Sequence, residues 1–250
     1  MQAGFEPLVK GFVRVPYDDL AAIEQVAAHT PNIVAVLVEP IQGEGGIRIA
    51  DIAYMQGLRK ICDRKNWLLM LDEVQCGIGR TGTWFAYQHA GILPDVMTLA
   101  KGLGSGMPIG ACLAAGRAAG TFQPGNHGST FGGNPLACTA ASTTLNIIET
   151  DKLMANAHTI GEFLLQGLKT RLDHLPGVVE IRGQGLMLGI ALAQPCGALV
   201  GQALEQGLLI NVTADTVVRL LPSLVFSQTD AQQLLDKLCP LITDFVSQGA

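Results

Sequence analysis

The chain has 250 residues, of which 48% are apolar and 15% are charged, and its formal net charge at neutral pH is −5. So high an apolar fraction with so small a net charge excludes an intrinsically disordered chain. The acidic balance disfavours nucleic-acid binding and an anionic membrane surface, since both require an excess of basic residues. No membrane span and no signal peptide are expected. The six cysteines have neither disulfide-framework nor metal-ligand spacing, so we expect a cytoplasmic protein without a metal site.

Short apolar runs alternate with amphipathic stretches over the first 150 residues, which is typical of βα units around a parallel sheet. A fully buried strand is predicted at residues 33–38, and further strands are predicted at 67–71, 96–100 and 109–115. Helices are predicted after Asp18–Asp19, after Asp51, in a short piece at 84–89 and over a long region at 135–172. We therefore expect an α/β domain over residues 1–150, with a mostly parallel sheet sandwiched by helices.

The pattern changes after Pro176. Strands at 178–181 and 186–193 flank a glycine turn at 183–185, which indicates an antiparallel hairpin. Two more strands are expected at 208–212 and 217–221. A last helix is predicted to open with a capping box of Thr229 and Gln232, and to be bent or interrupted by Pro240. Residues 151–250 therefore read as a smaller α+β domain.

Asp72 and Lys101 each follow a predicted buried strand. One βα crossover separates them, so both lie at the same edge of a parallel sheet, where ligands bind. A lysine partly desolvated in a cleft there would favour its neutral amine, which can attack a carbonyl group. The alternative is a structural ion pair, or a lysine that reaches solvent from the end of a strand.

Three glycine-rich loops accompany these residues, at 77–82, 102–106 and 128–134. The first two allow a close approach of backbone to a ligand, but they match neither a Walker loop nor a dinucleotide fingerprint. The third precedes a helix, and its hydroxyl and amide groups suit an anion such as phosphate. It also fits a plain helix-capping loop.

Four ordered segments resemble the class III aminotransferases: EPIQGEGG at 39–46, LDEVQCGIGRTG at 71–82, TLAKGLGSGMPIGA at 98–111 and HGSTFGGNPLA at 127–137. The resemblance implies the aspartate-aminotransferase fold and the cofactor pyridoxal 5'-phosphate (PLP). Because it begins in the middle of the large domain, it also implies that the N-terminal part of the usual fold is missing. The segment VVRLLPSLV at 217–225 adds a likeness to family members that act on acylated ornithines.

This resemblance implies a transaminase of arginine biosynthesis, which moves the distal amino group of N2-acetylornithine or a related acylated ornithine to 2-oxoglutarate. Enzymes for ornithine, 4-aminobutyrate or other ω-amino acids remain alternatives. So do a decarboxylase or aminomutase of the same fold, and an inactive fragment that serves only as a dimerisation module.

The resemblance also assigns cofactor contacts. Lys101 would hold PLP covalently and carry a proton at the substrate carbon, while Asp72 would keep the pyridine nitrogen protonated. The remaining cofactor-binding residues would be Glu73, Val74 on a ring face, Gln75 at the phenolic oxygen and Thr130 at the phosphate. Thr130 and Ser129, which lies near substrate, would reach the neighbouring subunit's site in a homodimer.

Arg219 lies in an otherwise apolar predicted strand, and the resemblance implies that it pairs with a substrate carboxylate in a bidentate fork. Glu44 would be its resting partner and would move away when 2-oxoglutarate binds. The alternative is a strand arginine that neutralises a local acid. Arg80, after the first glycine turn, is expected to have a structural role, and His127 is expected to shape its loop.

Overall fold

The computed structural model describes residues 4–248, which form two groups of helices and strands, each with its own four-stranded sheet. The first comprises α1 (Leu20–His29), β1 (Ala35–Val38), β2 (Ile41–Gln42), β3 (Arg48–Ile49), α2 (Ile52–Lys65), β4 (Leu68–Asp72), β5 (Val96–Leu99), β6 (Ala111–Ala114) and α3 (Pro135–Thr150), with 3-10 turns at Ala86–Ala90, Lys101–Gly104 and Gly116–Ala118. The second comprises α4 (Leu153–Leu172), β7 (Val178–Gln184), β8 (Met187–Leu192), α5 (Ala198–Glu205), β9 (Asn211–Thr213), β10 (Val217–Leu220) and α6 (Gln228–Gln248).

The first sheet has the strand order β1-β4-β5-β6. The first three strands are parallel, as the βα pattern predicts, whereas β6 returns antiparallel to β5. Asp72, the last residue of β4, lies opposite Thr98 of β5. The carboxyl ends of both strands therefore meet at one edge, which positions the candidate site.

The predicted helix caps are confirmed by hydrogen bonds. The carboxylate of Asp19 accepts from the backbone N–H of Ala22 at 2.9 Å, and that of Asp51 accepts from Ala53 at 2.6 Å. Each cap satisfies an N–H group that has no partner within its own helix.

The expectation of a fully buried strand at residues 33–38 is wrong. Leu37 is 56% exposed, because β1 forms an edge of the sheet and one of its faces is uncovered within residues 4–248. Trp67–Leu71 fits the prediction better, since Leu69 and Leu71 of β4 are fully buried beneath α2.

The helix predicted over 135–172 is two helices. Lys152 adopts a left-handed backbone conformation with φ 54°, which no α-helix can continue. The break follows from packing, because α3 lies against the Lys101–Gly104 turn whereas α4 lies against α6 and β7. An apolar periodicity that runs across both helices does not show that they face different cores.

The second sheet is antiparallel throughout, in the order β7-β8-β10-β9. The predicted hairpin is confirmed, but its turn lies at Gly185 and Leu186, so that Gly183 and Gln184 belong to β7. Apolar residues of β8 pack with α4, α5 and α6 in a large core cluster that is separate from those of the first sheet. The domain division at residue 150 stays a prediction.

The capping box of α6 differs from the predicted one. Ser227 and Asp230 exchange the two hydrogen bonds: Ser227 Oγ accepts from the Asp230 N–H at 3.1 Å, and Asp230 Oδ2 accepts from the Ser227 N–H at 3.2 Å. The helix also continues through Pro240, so the predicted interruption does not occur. Pro240 is exposed, so water can bond the carbonyl group that the proline leaves without a donor. Among the helices described, none combines the length and apolarity that crossing a membrane requires.

Candidate active site

The edge of the first sheet carries Asp72 and Lys101. Asp72 Oδ1 accepts from the backbone N–H of Val74 at 3.0 Å, which fixes the turn that follows β4. Lys101 begins the 3-10 turn after β5, with φ 45°. A non-glycine residue in this left-handed region is strained, and such residues cluster at functional sites. The backbone therefore turns sharply where the lysine leaves the strand.

Lys101 is exposed, which contradicts the expected partial desolvation. It lines an open cavity of about 370 Å³ with Val74, Gln75, Arg80 and Leu224, among others. The same cavity is nevertheless lined by residues that follow β4 and by residues that follow β10.

Glu73 does not face this cavity. It is fully buried, and its two carboxylate oxygens accept from the N–H groups of Ala86 and Tyr87, both at 2.9 Å, and from the thiol of Cys76. Burial raises the pKa of Glu73, although these hydrogen bonds act in the opposite direction. The side chain therefore caps the 3-10 turn at Ala86–Ala90, and the expected cofactor contact of Glu73 stays a prediction.

Glu44 and Arg219 form an ion pair, with Arg219 Nη1 at 2.7 Å from Glu44 Oε1. The side chain of Arg219 is 10% exposed and that of Glu44 is 49% exposed, so the carboxylate covers a largely buried guanidinium. The hydrogen bond from Arg219 lowers the pKa of Glu44. Gln75 lies beside both, since its Oε1 accepts from Arg219 Nη1 at 3.3 Å and its Nε2 donates to Glu44 Oε1 at 3.5 Å. The pair therefore borders the Lys101 cavity through Gln75.

Partly buried contacts shape the loop that carries Glu44. The carboxylate of Glu39 accepts from the N–H of Gly43 at 3.1 Å, and burial raises the pKa of this carboxyl although that hydrogen bond lowers it. A Cβ atom at Gly43 would lie 2.3 Å from Gln75 Oε1, so only glycine leaves room for the amide. The hydroxyl of Tyr17 lies 2.9 Å from the carbonyl oxygens of Glu39 and Pro40.

Sequence reasoning missed Asn211, Tyr17 and Glu39 as neighbours of the site. Asn211 Oδ1 accepts from Arg219 Nε at 3.0 Å, because the two residues are paired across β9 and β10. The predicted strand at 208–212 includes Asn211, but the register that brings it to Arg219 is not readable from the pattern. Glu39 is the first residue of the segment EPIQGEGG at 39–46, and its position directly after β1 could have indicated that it lies near the site.

Ser129 and Thr130 lie in an exposed loop before α3. Ser129 Oγ accepts from the N–H of Gly132 at 2.9 Å, and Asn134 caps α3 by accepting from Ala137 at 3.0 Å. Within residues 4–248, no hydrogen bond joins this loop to Asp72 or Lys101. The structure thus does not bring the loop into the site of its own chain, and its assigned roles stay predictions.

The residues at this edge fit PLP in chemical type. Lys101 offers an amine and Asp72 a carboxylate at neighbouring strand ends, while Val74 and Gln75 offer an apolar side chain and an amide on the same cavity as the lysine. These are the groups that an aldehyde, a pyridine nitrogen, an aromatic ring and a phenolic oxygen require. Arg80 adds a cation to the cavity wall.

The fold is that of the aspartate-aminotransferase-like class of PLP-dependent transferases, and in it a lysine and a carboxylate lie at adjacent parallel strand ends. The chain belongs to the aminotransferase class-III family, whose profile matches residues 1–242. Class III aminotransferases are PLP-dependent, and the family and fold implied by the four motifs are confirmed.

The curated relatives are named acetylornithine aminotransferases. The protein from Nitrosomonas europaea is 60% identical over 98% of this chain and 62% of its own length, and one from Bordetella bronchiseptica is 56% identical over the same shares. This chain therefore spans 62% of the length of these relatives.

Solved structures of aminotransferases have the same fold as this chain. The ornithine aminotransferase from Toxoplasma gondii has a TM-score of 0.93 at 34% identity, covering 98% of this chain and 59% of that one. The acetylornithine aminotransferase from Elizabethkingia anophelis has a TM-score of 0.89 at 35% identity, covering 96% of this chain and 62% of that one.

Proposed function

We propose that this chain carries the central catalytic residues of a PLP-dependent transaminase that moves the distal amino group of N2-acetylornithine, or a related acylated ornithine, to 2-oxoglutarate. The proposal extends to a homodimer in the cytoplasm that serves arginine biosynthesis. The names of the curated relatives support the substrate. The Glu44–Arg219 ion pair beside the Lys101 cavity is the observation that carries the proposal.

The pair suits a reaction with two different substrates. The donor must present its distal amine, whereas the acceptor 2-oxoglutarate brings a carboxylate next to its reacting carbon. An arginine that stayed uncovered would bind the α-carboxylate of the donor and so present the wrong amine. Glu44 covers Arg219 for the first half-reaction, and displacement of Glu44 by 2-oxoglutarate exposes a bidentate partner for the second.

When bound, PLP supplies a carbonyl group that reacts with amines and a ring that accepts electrons from the substrate carbon. Lys101 Nζ would hold the cofactor and would carry a proton at the substrate carbon. The carboxylate of Asp72 would keep the proton on the pyridine nitrogen. Val74 would pack against the ring, and Gln75, which contacts Arg219, would donate to the phenolic oxygen.

The homodimer would supply the parts of the site that this chain leaves open. Phe131, beside Ser129 and Thr130, is 82% exposed, and Leu136 at the start of α3 is exposed as well. A second copy that covers these apolar side chains would place Thr130 at the cofactor phosphate and Ser129 near substrate. The six cysteines are free thiols, in keeping with a reducing compartment.

The test measures each half-reaction separately, by single-turnover conversion of the intact holoenzyme with acetylornithine, succinylornithine, ornithine, 4-aminobutyrate and glutamate. We expect the acylated ornithines and glutamate to react fastest. Glu44→Ala should raise the rate with glutamate relative to acetylornithine, because Arg219 is then uncovered. Arg219→Ala should lower the single-turnover rate with glutamate most, by about tenfold or more, since a hydrogen-bonded charge pair is lost.

Glu149→Ala and Arg171→Ala are matched controls, since Glu149 is exposed on α3 and Arg171 pairs only with Asp236 on the surface. A faster reaction of ornithine or 4-aminobutyrate than of acetylornithine would assign the alternative substrate class. If the Glu44 and Arg219 variants slow both half-reactions equally, the pair has no switching role. A protein that binds no PLP would support the dimerisation module.

A further inference from the structure

Strand β9 contacts both members of the Glu44–Arg219 pair. At one end of the strand, Asn211 Oδ1 accepts from Arg219 Nε at 3.0 Å. At the other end, the hydroxyl of Thr213 donates to the backbone carbonyl of Glu44. Thr213 is one of only three buried polar or charged residues in the described chain, so its hydroxyl needs this partner.

The two contacts act on different parts of the pair. Asn211 holds the Nε side of the guanidinium, which leaves Nη1 to Glu44 and Gln75 and gives Nη2 no hydrogen-bond partner among the described residues. Thr213 holds the backbone of Glu44, while its carboxylate remains half exposed. The guanidinium plane of Arg219 and the backbone of Glu44 are thus held in place. The half-exposed Glu44 side chain has room to rotate.

We propose that Asn211 and Thr213 are positioning residues that make the opening of this pair a rotation of the Glu44 side chain alone. This rests on the proposed function. When Glu44 rotates away, Asn211 keeps the Nη edge of Arg219 aimed at an incoming carboxylate, and Thr213 keeps the loop in place for re-closure.

Asn211 is uncharged, and this matters for its role beside Arg219. An amide oxygen orients the guanidinium without neutralising it, so the full charge remains for the substrate carboxylate. A carboxylate at the same position would be a permanent counter-ion on β9 that Glu44 movement cannot remove. Position 211 thereby determines how strongly Arg219 competes for dicarboxylates.

The first test compares Asn211→Asp and Asn211→Ala in the intact holoenzyme, with Asn146→Ala on the exposed side of α3 as the control. Equilibrium titration measures the Kd of 2-oxoglutarate and of acetylornithine. Asn211→Asp should raise the Kd of 2-oxoglutarate by about tenfold, the size expected for one charge-assisted hydrogen bond, and Asn211→Ala should raise it less. The Kd of acetylornithine should change by a much smaller factor. Equal factors for both ligands, or no change in either, would overturn the role of Asn211.

The second test compares Thr213→Val with Thr216→Val, a control in the same hairpin whose hydroxyl contacts only the Ala214 carbonyl. Amide hydrogen exchange at residues 43–46 should quicken in Thr213→Val, because the Glu44 backbone loses its anchor, and should be unchanged in the control. The ratio of the single-turnover rate with acetylornithine to that with glutamate should also fall in Thr213→Val. Unchanged exchange in Thr213→Val would overturn its role, since the two valine variants carry the same loss of a hydroxyl.

Failure of the proposed function is distinguishable from failure of this inference. If the unsubstituted enzyme transaminates neither acetylornithine nor glutamate, the proposed function is wrong. The inference would still be supported by a selective loss of 2-oxoglutarate binding in Asn211→Asp together with faster exchange in Thr213→Val. If the unsubstituted enzyme binds no dicarboxylate, both are overturned.

Discussion

Lys101 stands at a strained backbone position on an exposed turn, so its side chain can be removed without opening a core. In Lys101→Ala we expect the fold to persist and the borohydride-stable attachment of PLP to disappear, since no other lysine lines the cavity of about 370 Å³. Circular dichroism checks the fold, and mass spectrometry of the reduced protein locates the attached group. Lys60→Ala on α2 is the control, and a reduced cofactor on another lysine would contradict the assignment.

Asp72 has two tasks at the residue scale, because its carboxylate also accepts from the Val74 N–H. Asp72→Asn retains an acceptor for this bond, so PLP binding should remain. Turnover should fall by about 10²–10³-fold or more, because a neutral amide stabilises the pyridinium proton far less. Steady-state rates and PLP absorbance separate the two effects. Near-normal turnover, with exposed Asp173→Asn as the control, would contradict the role.

At the scale of elements, Asp95 connects α2 to the first sheet. Its carboxylate accepts from Arg59 of α2 at 2.8 Å and from the backbone N–H of Leu69 in β4 at 2.8 Å. Although burial alone raises the pKa of Asp95, these hydrogen bonds bring it below its ordinary value of 3.8. The contact therefore stabilises the fold above that value, and the stability is lost as the pH falls through the lower pKa of the folded state.

We expect the free energy of unfolding to decline as the pH falls below about 4, and Asp95→Asn to remove part of that decline. Urea denaturation at a series of pH values measures both. The exposed Asp173→Asn variant should keep the pH dependence of the unsubstituted protein. An Asp95→Asn protein with the same acid dependence as the unsubstituted one would show that this carboxylate does not connect the elements.

At the scale of the whole molecule, Arg80 joins the two sheets. Its Nη1 donates to the carbonyl oxygens of Leu186, in the β7–β8 turn, and of Pro222, which follows β10. Burial lowers the pKa of Arg80 to about 10. Gly185 packs so closely that a Cβ atom there would lie 2.6 Å from the carbonyl carbon of Thr81. Arg80 therefore connects the loop after β4 to the segments that flank the second sheet, which fits the structural role expected for it.

Arg80→Met should lower the free energy of unfolding by about 2 kcal/mol, because two carbonyl groups lose a charged donor while much of the side-chain volume remains. Urea denaturation measures the change, and Arg171→Met, which removes only a surface ion pair, should cost less than about 1 kcal/mol. An Arg80→Met protein as stable as the unsubstituted one would show that backbone packing at Gly185 connects these segments without the guanidinium.

Local patterns determined much of this protein. The caps at Asp19 and Asp51, the strands that end at Asp72 and before Lys101, and the β7–β8 hairpin follow from short-range propensity and periodicity. The rule that parallel strands end at a common edge then placed Asp72 and Lys101 together.

Only the tertiary structure decided the exposure of β1 and Lys101, the inward turn of Glu73 and the contacts of β9 with the pair. Glu73 faces Ala86 and Tyr87 because a buried carboxylate must find donors, and these lie beyond its own strand. Asn211 reaches Arg219 through sheet register, and Thr213 reaches Glu44 through a contact between residues 169 apart in the chain. Periodicity reports which face of an element is apolar, but which partner meets that face is determined by long-range packing.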